Sequence, residues 1–199
     1  MKVGIDFDNT IANYDGVFYR AALNQELIPI DLDPSKSSVK DYLKSRNLED
    51  EWTKLQGYVY GSRMDLAKAY VGIIDFFELC KKNNITTVIV SHKSKHPYLG
   101  PKYDLHKAAS NWIKSIPILS EVETFFELTL EKKLERISIL NCDFFIDDLP
   151  ELLNESMFPK EVKKILFDPQ NIHKESKSFR RFNSWHEIKK FFELQSQSN

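Results

Sequence analysis

The chain has 199 residues, 42% hydrophobic and 29% charged, which is enough to bury a core and too mixed for a disordered or fibrous protein. Lys and Arg number 28 against 29 Asp and Glu, a formal net charge of −1, so no overall field draws nucleic acid or an anionic membrane. No apolar run approaches the ~20 residues of a bilayer span. No export signal is expected ahead of the first core segment, and a cytoplasmic location follows from that. Cys80 and Cys142 lie inside apolar runs without zinc spacing and read as buried thiols.

Residues 3–8 read as a first, buried strand that runs into Asp6-Phe7-Asp8-Asn9-Thr10. Residues i and i+2 of a strand point the same way. Asp6 and Asp8 therefore set like charges side by side, and a cation would relieve them. The plainer reading is that one Asp holds the turn and the other is solvated. Val17, Phe18, Ala21, Ala22 and Leu27 lie near helical spacing. Asp33-Pro34 predicts a second helix, with Asp as N-cap and Pro in the first turn. Trp52, Leu55, Tyr58 and Val59 predict a third over residues 48–60.

The apolar residues from Ile73 to Leu79 predict a helix ended by Asn83-Asn84. A β-branched strand over 85–90 then leads to Ser91. Further along, the pattern predicts a helix over 106–116 and a strand over 122–126. A helix over 130–140 capped by Thr129 follows, then a strand over 142–146 ending in Asp147-Asp148. Pro150 opens a short helix, and a final strand over 162–167 ends in Asp168-Pro169. Ser184 and Glu187 fit a capping box for a last helix through Phe192, and the polar tail 195–199 is expected to fray. This alternation predicts an α/β fold: a three-layer, Rossmann-like parallel sheet with helices on both faces. Ligands of such sheets bind beyond the carboxyl ends of the strands, where Asp6, Ser91 and Asp147 fall.

In that order, Asp6-Phe7-Asp8-Asn9-Thr10, Ser91, Lys133 (or Lys132) and Asp147-Asp148 resemble the four signature motifs of the haloacid dehalogenase (HAD) superfamily, phosphatase type. The resemblance covers residues 1–12 and 70–190. It implies a HAD-like core of 1–12 and 70–199, with 13–69 as a small helical cap inserted after the first strand. It also implies magnesium-dependent hydrolysis of a small phosphorylated metabolite, a nucleotide or sugar phosphate, through an aspartyl-phosphate.

By the same resemblance Asp6 is the nucleophile, and Asp8 is the acid that protonates the leaving oxygen and then the base that activates water. Ser91 and a lysine meet the phosphoryl group. Lys133 borders the buried helix face, with Ile137 and Leu140 at +4 and +7; Lys132 lies one residue round. Magnesium suits an all-oxygen site and is assigned to Asp6, the backbone carbonyl of Asp8, and Asp147. Asp148 either reaches the ion through water, orients Asp147, or caps the helix after Leu149.

Asn9 and Thr10 shape the turn that holds the phosphate. The basic stretch 92–98 is either a solvated loop or a rim for an anionic substrate, with His92 and Lys93 nearest Ser91. In the cap, Gln56, Tyr58, Tyr60 and Arg63 either pack or meet the substrate. Asp168 is either a turn residue or a further carboxylate near the site. Two other functions fit the same residues: a scaffold that binds a phosphorylated ligand without turnover, and a phosphotransferase to an acceptor other than water.

Overall fold

Apolar β-branched and aromatic runs alternate with amphipathic helices. In the computed structural model, which describes residues 1–197, they give β1 (Lys2–Ile5), β2 (Ala12–Asn13), α1 (Val17–Asn24), α2 (Lys36–Ser45), α3 (Glu49–Tyr60) and β3 (Lys68–Ala69). Next come α4 (Ile73–Lys82), β4 (Thr86–His92), α5 (Leu105–Ser115), β5 (Glu123–Glu127) and α6 (Leu130–Ile139). The chain closes with β6 (Phe144–Asp147), α7 (Pro150–Leu153), β7 (Lys163–Phe167), β8 (Arg180–Phe182) and α8 (Trp185–Gln197). Among the described residues no helix is long and apolar enough to cross a membrane.

By internal contacts the chain divides into two units. The first joins Met1–Ala12, Ala69–His92 and the chain from Pro117 onward; the second joins Asn13–Lys68 and Lys93–Ile116. Helix α5, drawn with the core in the sequence reading, thus groups with α1, α2 and α3.

The first unit carries the expected parallel α/β sheet, in the order β5-β4-β1-β6-β7-β8. β1 pairs with β4 on one side and β6 on the other, with Ile5 opposite both Ile89 and Ile146. A parallel sheet must be apolar on both faces, and this one is. On one face Val88, Val90, Phe145 and Leu166 pack with Leu134 and Ile137 of α6 and Leu152 and Leu153 of α7. On the other, Phe144 and Phe167 meet Phe192 and Trp185 of α8, which also hold Phe76 of α4. Gly4 is required in β1: a Cβ there would sit 2.5 Å from Cδ2 of Phe145, so the ring lies directly over the strand.

Several boundaries differ from the sequence expectation. β1 stops at Ile5 because the chain turns: Ile11 and Ala12 both donate their amides to Phe7 O, and Asn9 takes φ 58°. Asn tolerates that region better than most residues. Helix α2 starts two residues late. Its cap is Ser35, whose hydroxyl accepts from Ser38 N, while Asp33 accepts from Ser35 N in a turn of its own. The strand over 162–167 is followed by one more, β8. Its sequence, Arg-Arg-Phe, has no apolar alternation, which suits a short, charged sheet edge. Helix α8 extends through the first residues of the expected tail; residues 198 and 199 lie outside the described residues.

Asp168 has the turn role of its two readings. It accepts from the amides of Ile172 (3.2 Å) and His173 (3.0 Å) and from Arg181 Nη1 (3.1 Å), tying the loop to β8. Burial opposes its charge, but these donors outweigh burial and hold the carboxyl below its ordinary pKa. A depressed native pKa contributes stability above the unfolded value of about 3.9 and loses it as pH falls. Asp168→Asn should therefore cost about 1–3 kcal/mol at pH 7, with the gap closing below about pH 4 in urea titrations.

In the second unit Phe18 of α1 packs 5.1 Å from Trp52 of α3, and Trp112 of α5 donates its Nε1 to Ala67 O at 2.9 Å. Gly57 lets the loop before α5 approach α3 closely, since a Cβ there would meet Pro97 at 2.5 Å.

Candidate active site

β1 is central, so whatever follows it is flanked by the ends of β4 and β6. Asp6 is the first residue beyond β1, and its amide still donates to Ile146 O at 2.9 Å. Asp147 ends β6 on the same face as Phe145, by strand alternation. Helix α6 covers that face. Lys133 lies one turn before the buried Ile137 and therefore points inward. Its ammonium passes 5.4 Å over the Phe145 ring and donates to Asp6 Oδ1 at 2.6 Å and Asp147 Oδ2 at 2.7 Å. All three side chains are buried. Lys132, in contrast, faces solvent and pairs with Glu135 at 2.6 Å, its side chain 63% exposed.

Thr10, fully buried, sets its hydroxyl 3.4 Å from Asp6 Oδ2 and 3.3 Å from Asp148 Oδ1. Its carbonyl accepts from Trp185 Nε1 at 2.9 Å. Asp147 uses its second oxygen to accept from Leu149 N at 2.9 Å. The N-cap of α7 is Leu149, so the capping reading of Asp148 gives way to its contact with Thr10. Asp8 and Asn9 are half-buried in the turn, Asp8 bridging to Ala12. Ser91 is buried near the end of β4 and His92, its last residue, is exposed. Lys93 belongs to the second unit, where it is buried with Nζ 4.7 Å above the Tyr60 ring. Tyr60 also accepts from Lys36 Nζ at 2.8 Å.

Oxygens of Asp6, Asp147 and Asp148 all lie within 4.8 Å of one another. Crowding carboxylates this closely is repulsive. The electrostatic cost is visible at Asp6. Burial raises its pKa, Lys133 pulls it down and Asp147 raises it again, to about 7. At Lys133 burial disfavours the charge, yet Asp147 and Asp6 prevail and hold the proton more tightly than in water. An all-oxygen donor set of this kind fits a hard divalent cation such as magnesium. The thiols take no part: burial pushes Cys80 up to about 12 and Cys142 up to about 11.

Sequence reasoning missed Trp185 as a support of the Thr10 turn. A buried indole needs an acceptor, and that much was legible. Its acceptor lies 175 residues away in the chain, and nothing local marks it.

No protein-family model matches the sequence, and no curated protein matches it. Solved structures do. A HAD-superfamily hydrolase from Ehrlichia chaffeensis is similar at TM-score 0.59 and 18% identity, over 97% of this chain and 96% of its own. A predicted phosphatase from Clostridium acetobutylicum is similar at TM-score 0.60 and 15% identity, over 97% and 98%. A HAD family hydrolase from Deinococcus radiodurans, solved with bound phosphate and sodium, reaches TM-score 0.59 and 12% identity over 98% and 96%. The chain has the haloacid dehalogenase-like fold.

Proposed function

We propose that this protein is a magnesium-dependent phosphomonoester hydrolase that works through an aspartyl-phosphate on Asp6. The observation that carries the reading is the cluster of Asp6, Asp147 and Asp148 oxygens at the carboxyl end of the central strand, with Lys133 buried between Asp6 and Asp147. A fold this size has no structural need to bury such charge, because an apolar cluster of equal volume would be as stable or more so. The phosphate and the cation bound to the Deinococcus radiodurans hydrolase accord with it.

In this reading Asp6 attacks phosphorus in line with the leaving oxygen, and its carboxylate becomes the mixed anhydride. Asp8, two residues on, donates its proton to the departing alkoxide. It then takes a proton from water as that water attacks phosphorus, which frees inorganic phosphate and restores Asp6. Lys133 holds Asp6 and Asp147 apart and keeps Asp6 ionised for attack. Ser91 donates to a phosphoryl oxygen, and the Asn9–Thr10 turn, closed by the Asn9 amide on Ala12 O at 2.9 Å, shapes the seat of the phosphate. Magnesium, held by Asp6, the Asp8 carbonyl and Asp147 with Asp148 behind, would supply positive charge that offsets the phosphoryl oxygens. His92 and Lys93 draw in the anionic substrate, and residues 13–69 serve as the small helical cap that selects it. A small cytoplasmic phosphometabolite fits this assignment.

Phosphate release from p-nitrophenyl phosphate tests the reading. Activity should appear with millimolar magnesium, fall to background with excess EDTA, and return on adding magnesium back. Equal rates with and without the ion would remove the metal from the scheme, and no release under any condition would leave binding without turnover.

A further inference from the structure

The first unit has a second charged concavity at the opposite end of its sheet. Phe144 opens β6, Lys163 opens β7 and Arg180 opens β8. Because the strands are parallel, these three residues mark the amino end, about 10 Å of strand away from the Asp147 end of β6. With Lys177 and with Phe191 of α8 they line a cavity of about 380 Å³ whose lining contains no acidic residue. Two of its cations already lie against its aromatic rings. Lys163 Nζ is 5.0 Å from the Phe144 centroid, and the Arg180 guanidinium is 4.7 Å from that of Phe191. Nearby acids are engaged elsewhere: Asp143, just before β6, accepts from Lys2 N at 2.6 Å, and Glu175 pairs with Arg181. Lys164 turns away, donating to Leu153 O at 2.6 Å.

Gathering cations on aromatic faces, without an acid, makes a place for a planar ring that carries an anionic group. The ring stacks, and the anion meets the ammonium and guanidinium groups. The volume lies within the range of small-ligand pockets, which starts near 300 Å³, and is too small to track a polymer. We propose that this cavity is a second ligand site, separate from the carboxylate cluster, that binds a mononucleotide-like molecule, with its ring at the half-buried Phe191 and its phosphate at Lys163, Lys177 and Arg180.

Isothermal titration of the full chain as Asp6→Asn, without magnesium, prevents turnover and uses adenosine 5′-monophosphate as probe. The expected result is saturable binding with one molecule per chain, weakened by salt. Lys163→Gln with Arg180→Gln, both exposed and away from the core, should weaken it by about tenfold per charge removed. Phe191→Leu should weaken the nucleotide while leaving binding of inorganic phosphate unchanged. Adenosine alone and inorganic phosphate alone should each bind at least about tenfold less well than the nucleotide. Three outcomes would overturn the site: no saturation by 5 mM, roughly the weakest affinity of interest; binding untouched by the double substitution, which would put the ligand at the carboxylate end; or inorganic phosphate binding as tightly as the nucleotide.

Discussion

Asp6→Asn is expected to lower phosphate release by at least about 10⁴-fold while leaving the fold intact, because it removes the attacking group rather than an aid to it. The substitution is nearly isosteric. The amide oxygen can still accept from Lys133, which lies 2.6 Å from Asp6 Oδ1 and keeps Asp147 as its charged partner. One of several crowded carboxylates is also neutralised. Burial and Asp147 already press Asp6 toward protonation, with its pKa at about 7, so losing its charge should change stability by no more than about 1 kcal/mol. The check is a pair of measurements on one sample: turnover with magnesium and the urea midpoint. A variant that is folded and still turns over within tenfold of wild type would take the nucleophile's role away from Asp6.

Lys133→Met should show the opposite balance, with a large loss of stability alongside the loss of rate. Methionine fills much of the same volume against Phe145 but leaves Asp6 and Asp147 buried without their shared cation. Removing one partner from a buried charge cluster costs about 3–5 kcal/mol. In EDTA the deficit should be widest above about pH 7 and shrink as pH falls through it. Losing Lys133 raises the Asp6 pKa further above its wild-type value of about 7, so the two proteins differ at Asp6 only where the wild-type carboxyl is ionised. Rate should fall by about 10²–10³-fold, the usual effect of deleting one preorganised charge contact. The neighbouring Lys132→Ala is the control. Its solvent-exposed pair with Glu135 adds little to stability, and its rate should match wild type.

The parallel α/β sheet was legible because each strand is a short apolar run and each helix carries an amphipathic stripe. The order of the strands was not; it rests on which runs pair at long range. β8 escaped notice since an edge strand needs no apolar alternation, and α2 is capped by Ser35 rather than Asp33 because the Asp33 carboxylate takes the Ser35 amide while the Ser35 hydroxyl takes that of Ser38. At the site, Asp6, Asp147 and Asp148 could be named from their positions at strand ends. Helical spacing drew attention to Lys133, but only the packing of α6 over Phe145 distinguishes it physically from Lys132. The Thr10 link from Asp6 to Asp148 and the support from Trp185 depend on residues more than 130 positions apart, which no local pattern records.

The most direct measurement is to quench the enzyme with acid during turnover of a phosphate ester in magnesium, reduce the products with borohydride, and map the modified peptide by mass spectrometry. The account predicts that Asp6 alone is converted to homoserine, only when substrate and magnesium are both present. Conversion at a different carboxylate, or steady turnover with Asp6 unmodified at every quench time, would contradict it.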